Sequence, residues 1–365
     1  MGARIAIVDP ASFVLPYDFQ LVKALAERGD EVDFYGSLTR YNGEFLEAMR
    51  GLPNVKVHAR AVSGSVAPRW RGMAAYASLL VALLFGGGRF SVVNLQFSAF
   101  WPFDLLAAFA LRRRFVFTVH NAVPHGFKGL RHSPTRWLAS LAHRLVFVSE
   151  ATREDFQRRY GKAFDAKSSV LAHGLLPVTP GAGSVAYGGG GKPQALVFWS
   201  TVKPYKGVEL FADLARSEAI RGRGLALEVH GAWDASLQPL REQLVQLGVA
   251  VHDEYLDEKR LLALLARDAV FLLPYERASQ SGALYSLLHH GRVFICADVG
   301  DLGALMRRFG LEGLLLRDRS ARSVIDCLDH LDANREAVEA TFERARQSLA
   351  WSRLLAESGA PYRTE

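Results

Sequence analysis

The chain has few cysteines and no long apolar run, and both shortages exclude classes of protein. Only Cys296 and Cys327 occur among its 365 residues. Two cysteines make neither a disulfide framework nor a metal-ligand cluster, and we expect both to be core residues in a reducing cytoplasm. The longest apolar run, residues 73–85, is shorter than the roughly 20 residues of a membrane-spanning helix. The opening residues resemble a short strand rather than a signal peptide.

Acidic residues are almost absent from residues 51–149, which contain 12 lysines and arginines and a single acid, Asp104. Residues 1–180 hold 22 basic and 13 acidic residues, whereas residues 181–365 hold 22 and 24. Such a basic block implies an anionic partner, which can be nucleic acid, a phosphorylated acceptor or anionic lipid. The alternative is a solvated surface with chance clustering. Because no nucleic-acid-binding module is recognisable, we do not expect a nucleic-acid partner.

Several motifs of phosphate and metal chemistry are also missing. The sequence has no DxD, no HExxH and no Cys/His cluster, so we expect no bound metal. It lacks the GxxxxGK[ST] phosphate loop, and no GxGxxG follows the first predicted strand. These absences argue against kinases, P-loop ATPases and ordinary dehydrogenases.

What the sequence does contain is a regular alternation of strands and helices. The strands are β-branched or aromatic and almost continuously apolar, which is typical of parallel strands buried on both faces. The predicted strands are residues 4–9, 31–36, 54–60, 91–96, 115–120, 145–150 and 169–174, and then 195–200, 225–231, 250–256, 269–275 and 293–298.

A glycine-rich stretch, residues 179–193, separates two α/β halves and predicts a linker. The predicted domains are therefore residues 1–178 and 194–335. The remaining residues, 336–365, are helical in composition and have no strand of their own to pack on. We expect this segment to return to the first domain.

Polar residues directly follow the buried strand 115–120. His120, Asn121 and His125 come together there, at the sheet edge where ligands of α/β proteins bind. A histidine in this place can donate to a substrate hydroxyl or stabilise developing charge. The alternative is a histidine with a purely structural role.

Two further strand ends carry groups that suit a diphosphate. Lys203 and Lys206 follow the strand 195–200 in a turn that contains Pro204 and Gly207. Two ammonium groups beside a helix start can close on a diphosphate, although lysines in a turn are commonly just solvated. The strand 269–275 leads into a second helix start, where backbone amides and polar side chains can bind phosphate or sugar oxygens: Glu276, Ser279, Gln280, Ser281, Gly282 and Ala283.

With these residues the chain resembles a GT-B-fold glycosyltransferase, most like the retaining family 4. The resemblance rests on TVHNAVPHG, FVSEATREDF, LAHGLLP, WSTVKPYKGVELF and LLPYERASQSGALYSLLHHGRVFICADVGD. It implies an α/β protein of two Rossmann-like domains that face each other across a cleft, with a terminal helix around Trp351 that crosses back to the N-terminal domain. The N-terminal domain would bind the acceptor, and the C-terminal domain would bind a nucleotide-sugar.

Carried over by position, the resemblance gives roles to single residues. Lys203 and Lys206 would neutralise the donor diphosphate as it leaves, and His120 would lie near the donor sugar. Gly231 and the turn 279–283 would also contact the donor. On the acceptor side we consider Tyr17 and Asp18, together with Asn121 and His125, although a helix start explains the first two as well.

One part of the family pattern is absent. Of its two glutamates, the first position is occupied by Ala278 and the second by Ser286. The second glutamate normally holds the nucleotide ribose, so the residue that does so here is open. Glu276 is a candidate replacement for the first.

The implied reaction is transfer from a UDP- or GDP-linked sugar with retention of configuration and without a metal or other cofactor. A glycan or lipid-diphosphate-linked acceptor at the inner membrane face would explain the basic block, since basic and aromatic residues beside an apolar face bind interfaces. We therefore expect a bacterial, cytoplasmic, peripheral membrane enzyme of exopolysaccharide or lipopolysaccharide synthesis. A catalytically silent GT-B protein and an inverting transferase are the alternatives. The interfacial residues would be Arg69, Trp70, Arg71, Arg112, Arg113 and Arg114.

Overall fold

The computed structural model describes residues 2–39, 42–62, 68–122, 134–187, 191–278 and 281–362. The chain divides into two units. The first contains the residues up to Gly174 together with those from Leu349 onward, and the second is Leu175–Ser348. The two units are described separately below.

The first unit is built on a parallel sheet of seven strands. The strand order is β3-β2-β1-β4-β5-β6-β7, so the order reverses between β1 and β4. The central strands are buried throughout, which explains their continuous apolar sequence. The strands are β1 (Arg4–Asp9), β2 (Glu31–Ser37), β3 (Val55–Arg60), β4 (Val92–Leu95), β5 (Phe115–Val119), β6 (Arg144–Phe147) and β7 (Ser168–Val170).

Helices connect these strands and cover the sheet. The first helix ends as the sequence predicts, because Gly29 adopts a φ of +94° that an L-residue rarely takes. Ser149 caps another helix and accepts a hydrogen bond from the Thr152 amide. The helices are α1 (Leu15–Glu27), α2 (Gly43–Arg50), α3 (Arg69–Gly86), α4 (Trp101–Ala110), α5 (Pro134–Leu141) and α6 (Glu150–Tyr160).

The second unit has a parallel sheet of six strands in the order β10-β9-β8-β11-β12-β13, and here the order reverses between β8 and β11. The strands are β8 (Ala195–Trp199), β9 (Ala226–His230), β10 (Ala250–His252), β11 (Ala269–Leu273), β12 (Phe294–Ala297) and β13 (Leu315–Leu316). The helices are α7 (Leu210–Arg216), α8 (Glu218–Gly222), α9 (Gln238–Gln246), α10 (Glu258–Leu265), α11 (Gly282–His289), α12 (Gly300–Phe309) and α13 (Ala321–Ser348). Two parallel sheets with alternating helices confirm the predicted α/β fold of two Rossmann-like domains.

The C-terminal segment returns to the first unit, as the sequence predicts. Helix α14 (Trp351–Ser358) places the Trp351 ring against Tyr17, with ring centroids 4.8 Å apart. A short turn of 3-10 helix follows, and the Tyr362 hydroxyl donates to Asn94 Oδ1 at 3.0 Å inside the sheet core. The return begins at Leu349 rather than at residue 336, because α13 continues to Ser348 within the second unit.

Residues 175–187 belong to the second unit, although the sequence predicts part of this stretch as linker. The Val185 amide donates to the His289 carbonyl at 2.9 Å, which joins the stretch to the end of α11. The Tyr187 ring stacks on Phe342 with centroids 5.2 Å apart. The glycine-rich stretch therefore includes a packed segment. Residues 188–190 lie outside the described part of the chain.

Both cysteines are buried and unpaired, as expected. Within the described ranges, no helix combines the length and the apolar character that a membrane crossing requires.

A substitution at Gly174 tests whether the packing of Trp351 holds the C-terminal segment in place. A Cβ at this position would lie 2.4 Å from Cε2 of Trp351. We expect Gly174→Ala to displace the buried indole and to lower the free energy of unfolding by about 1–3 kcal/mol, the usual cost of overpacking. Urea denaturation followed by tryptophan fluorescence measures this.

The matched control is Gly183→Ala, because a Cβ at Gly183 meets nothing within 4 Å. Equal stability of the two variants would contradict the packing described for Trp351.

Candidate functional site

Two loops meet where the strand order of the second unit reverses. One follows β8 and contains Lys203 and Lys206, and the other follows β11. The Glu276 amide donates to the Tyr205 carbonyl at 2.9 Å. Gly207 has a φ of +70°, and a Cβ there would lie 2.0 Å from the Pro274 carbonyl oxygen. Only glycine therefore allows the two loops to touch, and this contact brings the lysine turn beside the start of α11.

Lys206 is held inside this contact. Its ammonium group donates to Ser200 Oγ and lies 5.0 Å from the centroid of the Tyr275 ring. Burial and, to a smaller extent, the nearby charge of Lys203 lower the pKa of Lys206 to about 8. Lys203 itself is exposed. An anion that binds here gains one fixed, poorly hydrated cation and one mobile cation.

The beginning of α11 faces the same loops. Ser281 precedes the helix, and its hydroxyl lies 3.5 Å from the buried Tyr275 hydroxyl. Gly282 and Ala283 supply the first amides of the helix, which have no acceptor within the helix itself. Ser279 and Gln280 lie outside the described residues.

Other residues predicted for the donor side have structural partners. Glu276 forms an ion pair with Arg319 at 3.0 Å. The Gly231 amide donates to the His252 carbonyl, and a Cβ at Gly231 would lie 1.8 Å from the Ser200 carbonyl oxygen. Gly231 thus supports the loop after β8 through close backbone packing. Ser286, at the place of the missing glutamate, is buried on α11 and offers no surface to a ribose.

In the first unit, His120 directly follows β5 and is part of a buried polar network. Its Nε2 lies 2.9 Å from the amide oxygen of Gln96, and because that oxygen only accepts, Nε2 carries the proton. Gln96 donates to Asn94, which also accepts from Tyr362. Burial and, to a smaller extent, the neighbouring His173 lower the pKa of His120 to about 3. His120 is therefore neutral at physiological pH, and its role near a donor sugar stays a prediction.

Tyr17 and Asp18 do not line an acceptor surface, contrary to the expectation from sequence. They are 1% and 0% exposed, because they lie on the inner face of α1. The Tyr17 ring packs against His120, His173 and Trp351. Burial and the neighbouring Asp9 raise the pKa of Asp18 well above its usual range, which favours the protonated carboxyl group. Asn121 is half-buried at the end of β5, and His125 lies outside the described residues.

Helix α3 is apolar on two faces. Its inner face packs into the core through Tyr76, Leu79, Leu80 and Leu83. Its outer face carries apolar side chains at helical spacing in solvent, among them Phe85, which is 89% exposed. The exposed residues of α3 and of the neighbouring α4 are Trp70, Met73, Val81, Leu84, Phe85, Trp101, Leu106 and Phe109.

Arginines border this apolar surface. The Arg71 guanidinium lies 5.0 Å from the centroid of the Trp70 ring, and that of Arg112 lies 4.9 Å from the centroid of Phe109. Arg113 and Arg114 are exposed in the turn after α4. Asp104, the single acid of this region, is buried and accepts from Tyr76 and Ser98. The side chain of Arg69 lies outside the described part of the structure.

One cluster has ligand atoms that a metal ion can use: Glu228, His230 and His252, whose ligand atoms all lie within 4.8 Å of one another. Both carboxylate oxygens of Glu228 accept from Arg267 at 2.6 Å. The two imidazole rings stack with an interplanar angle of 10°. Lone pairs in parallel ring planes do not converge on one ion, so the present arrangement favours a charge network at the end of β9 rather than a metal centre.

Sequence reasoning missed Gln96, Ser200 and Tyr275. The first two are polar residues that directly follow buried strands, which is the same signal that drew attention to His120. Tyr275 was not identifiable, because its contact with Lys206 depends on the three-dimensional meeting of two loops.

Comparison with known proteins shows similarity to one protein family and to solved structures of the same fold. The model of Glycosyltransferase Family 4 matches residues 19–175. No curated protein sequence matches the chain. The structure is similar to that of Alr3699/HepE from Anabaena in complex with UDP and glucose, with a TM-score of 0.65 and 14% identity over 97% of this chain and 98% of that one.

Two further solved structures have the same architecture. The catalytic domain of starch synthase IV from Arabidopsis thaliana, bound to ADP and acarbose, gives a TM-score of 0.69 at 13% identity over 99% of each chain. The lipopolysaccharide outer core galactosyltransferase WaaB, in its apo form, gives 0.61 at 14% identity over 96% of this chain and 97% of that one.

These likenesses define the class of the fold, which is that of the GT-B glycosyltransferases. The match of the first unit to the family 4 model confirms the resemblance that the sequence motifs suggest. Together they support a glycosyltransferase enzyme.

The environment of Lys206 generates a prediction that is independent of any substrate. Because the charge of Lys203 lowers the pKa of Lys206, we expect Lys203→Met to raise it from about 8. NMR titration of protein labelled with ¹³C at lysine Cε measures the change, and the resonance is assigned by its loss in Lys206→Arg.

Lys259→Met removes a lysine of α10 that is also exposed and is the matched control. An unchanged Lys206 titration in Lys203→Met would contradict the electrostatic coupling of the two lysines.

Proposed function

We propose that the chain transfers a sugar from a nucleoside-diphosphate sugar to a lipid-linked or polysaccharide acceptor, with retention of anomeric configuration and without a metal. The observation that carries the proposal is the contact of the Lys203–Gly207 turn with the loop after β11. It combines two cations with the start of a helix at the place where open α/β sheets bind ligands.

The diphosphate leaving group explains the chemistry of this site. As the bond to the sugar breaks, negative charge develops on the phosphate, and Lys206 is already desolvated and held by Ser200. A fixed cation stabilises that charge without reorganisation, and Lys203 adds a second positive charge. The two lysines thereby supply the positive charge that a metal ion supplies at other phosphate sites. UDP and ADP in similar structures support a nucleotide donor, and UDP with glucose in HepE favours a uridine donor.

Retention is what the resemblance to family 4 implies, and the anomeric configuration of the product tests it. ¹H NMR of the newly formed linkage shows whether the anomeric configuration equals that of the donor. Inversion would require a base on the acceptor side. His120 is a poor candidate for that role, because its ring is buried and its lowered pKa of about 3 makes it a weak base.

A lipid-linked acceptor would bring the enzyme to a membrane surface. The outer face of α3 and the neighbouring α4 expose large apolar side chains, and arginines border them. An apolar face with a basic margin suits an interface that contains anionic lipid. We propose that this surface binds the inner face of the cell membrane.

Lys206→Ala tests the donor site. We expect turnover of the preferred donor to fall about 10²–10³-fold, the usual effect of removing one preorganised charge-stabilising group. The donor is first selected by thermal shift with UDP-, GDP-, ADP- and dTDP-glucose, because a ligand of the folded state raises the melting temperature. Release of the nucleoside diphosphate then measures turnover.

The control is Lys259→Ala, which removes an exposed lysine from α10 of the same unit. Near-normal turnover of Lys206→Ala, with the control also active, would contradict the assignment of Lys206 to the donor site. Donor binding without any release of nucleoside diphosphate would favour the catalytically silent alternative.

Vesicle flotation tests the membrane surface. We expect the protein to float with vesicles of phosphatidylcholine and phosphatidylglycerol, and to float less as salt rises, because salt screens the arginines. The double variant Trp70→Ser/Phe85→Ser should lose most of this binding, because it removes the two most exposed aromatic side chains of α3.

Val245→Ser is the matched control, since Val245 is an exposed apolar residue of the second unit. Flotation that does not depend on the anionic lipid, or that the double variant retains, would count against membrane binding through α3.

A further inference from the structure

Phe13 is exposed in a loop that is otherwise firmly held. The loop joins β1 to α1, and the Phe13 side chain is 68% exposed. The preceding residue, Ser12, has a φ of +52°, a left-handed conformation that non-glycine residues rarely adopt. Such strain persists only where surrounding contacts enforce it, and it is concentrated at functional sites.

The enforcing contacts lie on both sides of Phe13. Ser12 Oγ donates to the Ser37 carbonyl at 3.0 Å and accepts from the Ser37 amide at 2.9 Å. The Val14 amide donates to Asp9 Oδ2 at 3.2 Å. Gly36 provides the space, because a Cβ there would lie 2.8 Å from Ser12 Oγ. The loop thus fixes an aromatic ring in solvent, where the ring contributes little to stability.

The exposed ring continues an aromatic stack that begins at His120. Phe97 stacks on His120 with centroids 4.4 Å apart and an interplanar angle of 16°. Phe13 meets Phe97 edge to face, with centroids 5.8 Å apart. The stack therefore leads from the buried imidazole to the exposed ring of Phe13.

The stack lies where the strand order of the first sheet reverses. Phe13 follows β1, Phe97 follows β4, and these strands are neighbours in the sheet. Ligands of open α/β sheets bind at such a reversal. We propose that Phe13 and Phe97 bind the sugar ring of the acceptor that carries the attacking hydroxyl group.

This inference rests on the proposed transferase function and names the acceptor chemistry of its first unit. The face of an aromatic ring is electron-rich, and a sugar ring presents C–H groups to it. A lipid chain would instead find a larger apolar area on the outer face of α3, which the stack does not include. The group that binds beside Phe13 and Phe97 is therefore the sugar of the acceptor, not the lipid that carries it.

The test uses n-octyl β-D-glucoside below its micelle concentration, together with the methyl α- and β-glycosides of glucose, galactose and mannose. Saturation-transfer NMR reports which protons of each probe contact the protein. We expect transfer to the sugar-ring protons of at least one probe. Phe13→Ala should weaken the binding of that probe about tenfold, and Phe13→Tyr should retain it because the ring remains.

Tyr255→Ala is the matched control, because Tyr255 is also 68% exposed and lies in the second unit. Since Phe13 is mostly in solvent, Phe13→Ala should keep the wild-type melting temperature. The proposal is overturned if no probe shows saturation of its sugar protons, or if Phe13→Ala leaves the sugar signal unchanged. Loss of the octyl-chain signal alone in Phe13→Ala would also overturn it and would assign the stack to a lipid chain.

Donor binding distinguishes a failure of the acceptor proposal from a failure of the transferase function on which it rests. The thermal shift with nucleotide-sugars should be the same in wild type and Phe13→Ala. If no nucleotide-sugar binds the wild type, the transferase function fails. If the donor binds but the binding of the sugar probes does not depend on Phe13, only the proposed acceptor site is contradicted.

Discussion

The proposed donor and acceptor sites of this chain both depend on the reversal of strand order beside the first strand of each parallel sheet. In open α/β sheets, neighbouring strands at the reversal send their connections to opposite faces, and ligands bind in the opening that this leaves at the sheet edge. In this chain the reversals bring together the loops after β8 and β11 in one unit and those after β1 and β4 in the other. In both units a glycine without space for a Cβ, Gly207 or Gly36, allows a loop to be fastened to its neighbour.

Burial has a different chemical effect at each of the two openings. In the second unit it holds Lys206 against Ser200 and Tyr275, which makes this cation poorly hydrated and ready for an anion. In the first unit it keeps His120 neutral and fixes its proton on Nε2 through Gln96. A poorly hydrated cation suits a diphosphate, whereas a neutral ring that stacks on Phe97 suits an uncharged substrate. The electrostatics of the two openings thus match a charged donor and a sugar acceptor.

The sequence predicts the fold well because parallel strands buried on both faces leave an apolar signature that no solvent-facing element shares. The candidate site is predictable where a polar residue follows such a strand directly, as His120 does, or within a few residues, as Lys203 does. Tyr17 and Asp18 were misassigned, although they lie four residues before Leu21 and Val22 and so share the buried face of α1. Composition also misleads within residues 179–187, where the backbone and Tyr187 pack on the second unit despite the glycines. The ring stack at Phe13 was not predictable, because it joins loops distant in sequence.

The division of the chain has a consequence for its biosynthesis. The second unit is one continuous stretch, whereas the first is formed from the residues up to Gly174 and those from Leu349 onward, with Trp351 and Tyr362 inside its core. The ribosome synthesises those two residues after the whole of the second unit, so the sheet that is made first is completed only after the second. Until then Tyr17 lacks its contact with Trp351, and Asn94 lacks its hydrogen bond with Tyr362. Early termination of translation would therefore damage the half of the protein that had already been made.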